Sequence, residues 1–193
     1  MFPFSSILLS ERSLMPKYSP TRPTTDSQLS VASNGVPIYL YNKISKESPL
    51  NLPCMLGGRN LNPAMIVLIQ DPKSPSVGHW VCVVYNKRRD EYYFFSSYGG
   101  RPDEEKNSFI SPQDQIISGQ KNNFISDGLR YLYSLGKKIH YNEFEYQKIG
   151  DKTATCGIWC VAFILSNMNP TEFFHFVKNK KLSAKDFFYL YFS

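Results

Sequence analysis

A continuous apolar run, residues 156–165, constrains the fold of this chain more than any other stretch. A small polar loop, residues 153–155, leads into it, and the pattern predicts a buried helix that begins at Cys156. A thiol at a helix N-terminus has its pKa lowered by the helix dipole and the unpaired N–H groups. Its own N–H group can also hold a developing oxyanion. Cys156 is therefore either a nucleophile or a small core residue.

Residues 64–69 form a short β-branched run, which predicts a buried strand. The next two apolar runs, residues 79–85 and 91–96, are separated by a turn and predict a β-hairpin. The predicted elements that follow are a polar loop over 104–121, a helix over 124–135, a strand over 138–144, the helix that begins at Cys156, and two C-terminal helices capped by Thr171 and Ser183. Strands followed by helices indicate an α+β fold, with a central mixed or antiparallel sheet flanked by helices.

The length of 193 residues fits one domain. Residues 1–37 are rich in Ser, Thr and Pro and predict an extended or partly disordered N-terminal arm, which leaves residues 38–193 as the domain. The four cysteines follow no disulfide or zinc-ligand spacing, and the opening residues have neither a secretory signal nor the length to span a bilayer. We therefore expect free thiols, no metal, no membrane contact and a monomer.

A cysteine nucleophile needs a base, usually histidine, and the chain has three candidates. His175 lies in an aromatic helical run and His140 in a predicted strand, where packing or surface roles are the usual ones. His79 lies at a loop-to-strand junction, and side chains at strand ends flank clefts. His79 is therefore the best base by position, and Gln147, nine residues before Cys156, could donate to an oxyanion.

The order of these residues resembles that of the adenovirus-type (adenain-like) maturation cysteine proteases. The order here is His79-Trp80 on a hairpin, then Phe-Ser-Ser-Tyr-Gly at residues 95–99, then Gln147, then Cys156-Gly157. The family pattern is His-Trp, an aromatic–acid–x–aromatic–Gly segment, Gln and Cys-Gly. That family is related to the SUMO-specific proteases and has counterparts in polinton-like elements and virophages, to which this chain looks closest. The resemblance covers about residues 64–168 and implies a papain-like protease fold of this type.

The resemblance assigns Cys156 as nucleophile, His79 as general base, and Gln147 with the Cys156 N–H group as oxyanion donors. The family has Asp, Glu or Asn where this chain has Ser96. Ser96 could orient His79 through a neutral hydrogen bond, an acid such as Asp71 or Asp103 could substitute, or the protein could be a weakened relative. We favour Ser96 as the third member of the site, because a thiolate–imidazolium pair depends less on an acid than a serine nucleophile does.

The function that the resemblance implies is a cysteine endopeptidase that cleaves capsid or other structural precursors during viral particle maturation, after Gly-Gly-type sites. Residues 55–58, Met-Leu-Gly-Gly, resemble such a site, with an ordinary turn as the alternative. An isopeptidase for ubiquitin-like modifiers and a catalytically silent capsid or DNA-associated protein are the other interpretations.

We expect no cofactor, although activation by DNA or a peptide stays open. The net charge of +6 and the basic runs at 87–89 and 178–181 make viral DNA a candidate partner. The expected location is the virion, the host cytoplasm or a viral factory.

Overall fold

The computed structural model describes residues 18–22, 24–73, 78–148 and 153–192. One five-stranded sheet lies at its centre, with the strands adjacent in chain order. The strands are β1 (Ile38–Leu40), β2 (Ala64–Gln70), β3 (Gly78–Asn86), β4 (Glu91–Ser96) and β5 (Lys138–Tyr141). The inner pairs β2·β3 and β3·β4 are antiparallel, and the outer pairs β1·β2 and β4·β5 are parallel. The predicted α+β class with a central mixed sheet is confirmed.

Helices cover both faces of this sheet. They are α1 (Asp26–Ala32), α2 (Tyr41–Ile44), α3 (Leu52–Met55), α4 (Glu104–Phe109), α5 (Pro112–Ser118), α6 (Phe124–Ser134), α7 (Cys156–Ser166), α8 (Pro170–Lys180) and α9 (Ala184–Tyr191), with a 3₁₀ turn at Pro49–Asn51. None of the helices in the described part of the chain is both long and apolar enough to cross a membrane.

Alternate side chains of the central strands build two separate apolar clusters, as the period of two along a strand requires. Ile66 and Phe95 belong to the cluster that also contains α1, α7, α8 and α9 residues. Their neighbours Met65 and Phe94 belong to the opposite cluster, with residues of α2 and α6. The sheet is therefore buried on both faces.

The predicted buried helix is confirmed as α7, which packs along β3. Every residue of α7 except Leu165 is buried. Phe163 stacks on Phe95 of the sheet, with ring centroids 4.6 Å apart. Because α7 begins at Cys156, the packing of its whole length fixes where the thiol lies.

The expected extended arm is wrong over residues 26–32, which form α1. Thr25 and Gln28 make a reciprocal capping box that satisfies the first N–H groups of this helix. Leu29 is fully buried in the cluster around α7, so tertiary packing stabilises a helix of only seven residues. Residues 1–17 of the proposed arm lie outside the described residues.

Two other local predictions need correction. The polar stretch 104–121 contains the helices α4 and α5, and buried polar contacts described below hold α4 in place. Helix α8 begins with Asn169 as its cap, and not with Thr171, because Asn169 and Glu172 form a capping box and Pro170 fits the first helical position. Ser183 caps α9 as predicted.

Candidate active site

Cys156 is the first residue of α7, and its side chain lies against the start of β3. The Trp80 N–H group donates a hydrogen bond to the Cys156 sulfur over 3.5 Å. The thiol is 5% exposed. A main-chain donor and the helix N-terminus therefore both stabilise a negative charge on this sulfur.

His79, one residue before Trp80 on β3, is 2% exposed and faces the same region. Its Nε2 lies 2.9 Å from Oε2 of Glu105 and 3.0 Å from the hydroxyl of Ser96. The Tyr98 ring stacks on the imidazole, with centroids 4.1 Å apart. Nδ1 is buried and makes no hydrogen bond to any of the described residues, so it is the ring nitrogen left to interact with the thiol.

Glu105 is the acid that the sequence interpretation missed. Its Oε1 accepts hydrogen bonds from the Ser96 hydroxyl and from the Gly100 N–H group. Glu105 is 4% exposed. Ser96 therefore contacts His79 and Glu105 together, and the hydroxyl in the strand and the carboxyl group nine residues later approach the same ring nitrogen.

Two buried polar networks hold α4, which carries Glu105. Asp103, just before the helix, accepts hydrogen bonds from the Tyr41 hydroxyl and from the Ser126 N–H group over 2.8 Å. Lys106 is completely buried, and its Nζ donates to the Gln120 carbonyl over 2.9 Å and to Asn123 Oδ1 over 2.9 Å. These bonds tie α4 to the segments around it and fix Glu105 from both sides.

The two acids that the sequence nominated have other partners. Asp103 forms part of the network just described. Asp71 Oδ1 accepts from the Lys73 N–H group over 2.9 Å. The polar composition of 104–121 hid the acid, although the run Asp-Glu-Glu at 103–105 is typical of a helix N-terminus and could have suggested α4.

Gln147 is brought to the same site. Its Oε1 accepts a hydrogen bond of 2.8 Å from the Thr155 hydroxyl, one residue before Cys156. Its Nε2 is buried and has no hydrogen-bond partner in the described part of the chain. The N–H groups of Tyr146 and Gln147 both donate to the Ser97 carbonyl, which ties this segment to the end of β4. The four predicted residues, Cys156, His79, Gln147 and Ser96, therefore share one site.

Electrostatics favour a charged Cys156–His79 pair. Burial alone lowers the pKa of His79, but hydrogen bonding and charge interactions with Cys156 and Glu105 outweigh it and raise the pKa to about 9. Burial alone raises the pKa of Cys156, but the imidazole and the N–H groups of Trp80 and Gly157 outweigh it and hold that pKa below its usual value. The raised pKa of His79 and the lowered pKa of Cys156 both favour proton transfer from the thiol to the imidazole.

The other histidines and thiols lie in different surroundings. His140 is exposed on β5, 3.5 Å from Glu91, and His175 is exposed on α8. Cys160, one turn after Cys156, donates to the Trp80 carbonyl, and burial raises the pKa of its thiol. All four cysteines are free thiols, and no cluster of three or more metal-ligating side chains occurs among the described residues.

The Gly57-Gly58 pair has a structural reason of its own. Gly57 forms an isolated β-bridge with Ala64, and a Cβ atom here would press on Pro37. Gly58 has a φ of +103°, which disfavours other residues. Both glycines therefore have a structural role that does not depend on a cleavage site.

The described N-terminal segment crosses the loop that precedes the thiol. The Ala154 N–H group donates to the Pro20 carbonyl over 2.5 Å. Thr24 is 7% exposed and occupies the space that a side chain at Gly157 would need. Together with the burial of Cys156, His79 and Gln147, these contacts make the site a closed one.

The site combines a buried thiol beside an imidazole, a carboxyl group behind that imidazole, and an amide donor with no partner in the described part of the chain. This is the arrangement that nucleophilic acyl transfer requires. The thiol can attack a carbonyl carbon, the imidazole can transfer the proton, and the amide can hold the oxygen.

Comparison with known proteins connects the chain to a viral protein. No protein-family model matches the chain. Over 115 residues, 59% of its length, the chain is 33% identical to the uncharacterized protein V9 of Sputnik virophage. The aligned part is 62% of that relative, so the chain spans less than two thirds of it. The match links the chain to virophages.

Proposed function

We propose that this protein is a cysteine endopeptidase of the adenain type that processes structural precursor proteins during viral particle maturation. One observation carries the proposal: His79 lies between the Cys156 thiol and the Glu105 carboxyl group, in a buried site where the Gln147 Nε2 has no hydrogen-bond partner among the described residues. The similarity to a virophage protein supports the viral setting. The papain-like fold type and the protease activity are parts of this proposal.

In the first chemical step, the Cys156 thiolate attacks the carbonyl carbon of the scissile peptide bond. The carbonyl oxygen becomes an oxyanion, which the Gln147 Nε2 and the Cys156 N–H group stabilise. The His79 imidazolium then donates its proton to the leaving amine, the C–N bond breaks, and a thioester to Cys156 remains.

In the second step, water hydrolyses the thioester. Neutral His79 accepts a proton from the attacking water, and the C–S bond breaks through a second oxyanion at the same donors. The carboxylic acid product leaves, and the proton returns the Cys156–His79 pair to its starting state. Glu105 holds the imidazole in one orientation throughout and stabilises its charged form.

The proposed substrates are capsid or other structural precursors, cleaved after Gly-Gly-type sites by a monomer in the virion, the host cytoplasm or a viral factory. Viral DNA is a proposed additional partner. The exposed lysines at 178, 180 and 181 supply positive charge for it, whereas Arg89 of the other basic run is paired with Glu172 at 2.7 Å.

The test is cleavage by purified full-length protein. A co-expressed virophage capsid protein and synthetic Gly-Gly peptides should both be cut by the wild type. Cys156→Ala should abolish cleavage, and His79→Gln should lower kcat/KM by about 10²- to 10⁴-fold, the usual contribution of general acid–base catalysis.

Two matched controls separate the site from general thiol and imidazole chemistry. Cys54→Ala removes the exposed thiol, and His140→Gln removes an exposed imidazole on another strand. Both variants should cleave at the wild-type rate. Preference for modifier conjugates over capsid protein would indicate the isopeptidase instead. A folded wild type that cleaves neither substrate class, and whose Cys156 resists a peptide aldehyde, would indicate the silent capsid or DNA-associated protein.

A further inference from the structure

Thr155 uses its hydroxyl in an unusual way for a residue at the start of a helix. It is the N-cap of α7, and a threonine in that place normally accepts a hydrogen bond from an N–H group of the first turn. No such side-chain bond forms here. The hydroxyl donates to Gln147 Oε1 instead, over 2.8 Å, and Thr155 is 4% exposed.

This bond determines which end of the Gln147 amide is available. A carboxamide has an acceptor oxygen and a donor nitrogen at opposite ends. With Oε1 bonded to Thr155, Nε2 is the end that remains, and it is buried and unpaired in the part of the chain that the structure describes. The reversed amide would turn its oxygen toward the substrate oxygen, where the two would repel each other.

The backbone of Gln147 is fixed independently. Its N–H group, like that of Tyr146, donates to the Ser97 carbonyl at the end of β4. The main chain of Gln147 is therefore anchored to the sheet, and the far end of its side chain is anchored to the residue before the nucleophile.

We propose that Thr155 is a positioning residue: its hydroxyl holds the Gln147 amide with Nε2 directed at the oxyanion. The inference rests on the proposed function, because the oxyanion exists only if Cys156 attacks a carbonyl. Thr155 itself touches no reacting atom and acts only through Gln147.

A double-mutant cycle tests this dependence. Gln147→Ala should lower kcat by about 10²- to 10³-fold, the usual cost of one oxyanion donor, with little change in KM. Thr155→Val keeps the shape but removes the hydroxyl, and should lower kcat by at least about tenfold but by no more than Gln147→Ala does. If Thr155 acts through Gln147, the double variant will be no slower than Gln147→Ala alone.

A rescue variant and a second assay separate positioning from folding. Thr155→Ser retains the hydroxyl and should restore most of the lost rate. Iodoacetamide reacts at a saturated carbon and forms no oxyanion, so Thr155→Val should alkylate at the wild-type rate. A peptide aldehyde gives a thiohemiacetal whose oxygen uses the same donors, and its affinity should fall by about the same factor as kcat.

The outcomes are distinct. The inference is overturned if wild-type protein cleaves peptide but Thr155→Val does so at the wild-type rate, or if the effects of Thr155→Val and Gln147→Ala multiply. A loss of iodoacetamide reactivity in Thr155→Val that Thr155→Ser does not restore would also overturn it, since the role would then be structural. A wild type that neither cleaves peptide nor binds the aldehyde overturns the proposed function, and the inference with it.

Discussion

His79 has an acid and a hydroxyl on one ring nitrogen, and this arrangement determines how the proposed activity depends on pH. Glu105 and Ser96 both approach Nε2, while Nδ1, on the other side of the ring, is left for the thiol. A protonated imidazole is needed to release the amine, and the pKa of His79 is raised to about 9. Cleavage should therefore fall as the pH rises through about 9, when the imidazolium loses its proton.

Glu105→Gln should move this alkaline limit to lower pH. The substitution removes one of the interactions that raise the pKa of His79, and loss of a neighbouring opposite charge typically shifts a pKa by about 1 to 3 units. The measurement is kcat/KM for a peptide between pH 5 and 10 (roughly the range that histidine and thiol pKa values span). Glu104→Gln changes an exposed acid on the same helix and should leave the profile unchanged. An unchanged profile in Glu105→Gln would contradict the role given to this acid.

Ser96→Asp should not improve the proposed activity, although it restores the residue type that the resembled family has in the strand. Ser96 is completely buried and hydrogen-bonded to Glu105, so a second carboxyl group would lie beside the first. Two carboxyl groups in one buried site raise the pKa of one of them and cannot both stay ionised at low cost. We expect kcat/KM to fall by about tenfold or more, equivalent to about 1.4 kcal/mol or more of activation free energy. Ser96→Ala should cost less, and a rate gain in Ser96→Asp would show that the native serine is a defect.

The secondary-structure elements differ in how well they could be predicted from the sequence. The hairpin of β3 and β4 and the helix α7 were predicted, because their apolar patterns match one period over a long enough run. Helix α4 was not, because Lys106 and Glu105 are charged residues that only tertiary partners bury. Cys156, His79, Gln147 and Ser96 could be nominated from their order along the chain. Glu105 could not, since its place depends on contacts from two distant segments, α2 and the start of α6.

The N-terminal segment should restrict access to the thiol. Deletion of residues 1–22 removes the hydrogen bond from Ala154 to Pro20 and keeps the Thr25 cap and α1. One hydrogen bond is worth about 0.5–1.5 kcal/mol, so the opening of the site and the alkylation of Cys156 by iodoacetamide should become about two- to tenfold faster. The measurement is mass spectrometry of the labelled thiol over time. Deletion of residues 1–17 alone keeps this bond and serves as the matched control; equal rates in the two truncations would contradict the expectation.

At the scale of the whole molecule, the two apolar clusters share one sheet and should unfold together. Leu129 on α6 is buried in the cluster opposite α7, and Leu129→Ala should lower the free energy of unfolding by about 2–5 kcal/mol. Both tryptophans, Trp80 and Trp159, lie in the cluster around α7. In a denaturant titration of Leu129→Ala, tryptophan fluorescence should nevertheless report the full decrease in the free energy of unfolding. Its midpoint should equal that measured by circular dichroism.

The control is Leu135→Ala, which truncates a leucine that is 58% exposed just after the same helix. Its midpoint should match that of the wild type. In Leu129→Ala, the fluorescence midpoint could stay at the wild-type value while the circular dichroism midpoint shifts. That result would mean that the two faces of the sheet unfold separately.

The shared approach of Ser96 and Glu105 to one ring nitrogen bears on how pseudoenzymes are recognised. A sequence filter that demands an acid at the strand position would find none in this chain, although a carboxyl group nine residues downstream lies 2.9 Å from the histidine. Such proteins should be compared by which side chain lies beside the histidine in space, and not by which residue occupies one alignment column. Relatives with a hydroxyl residue in the strand should be searched for an acid on the following helix before they are classified as inactive.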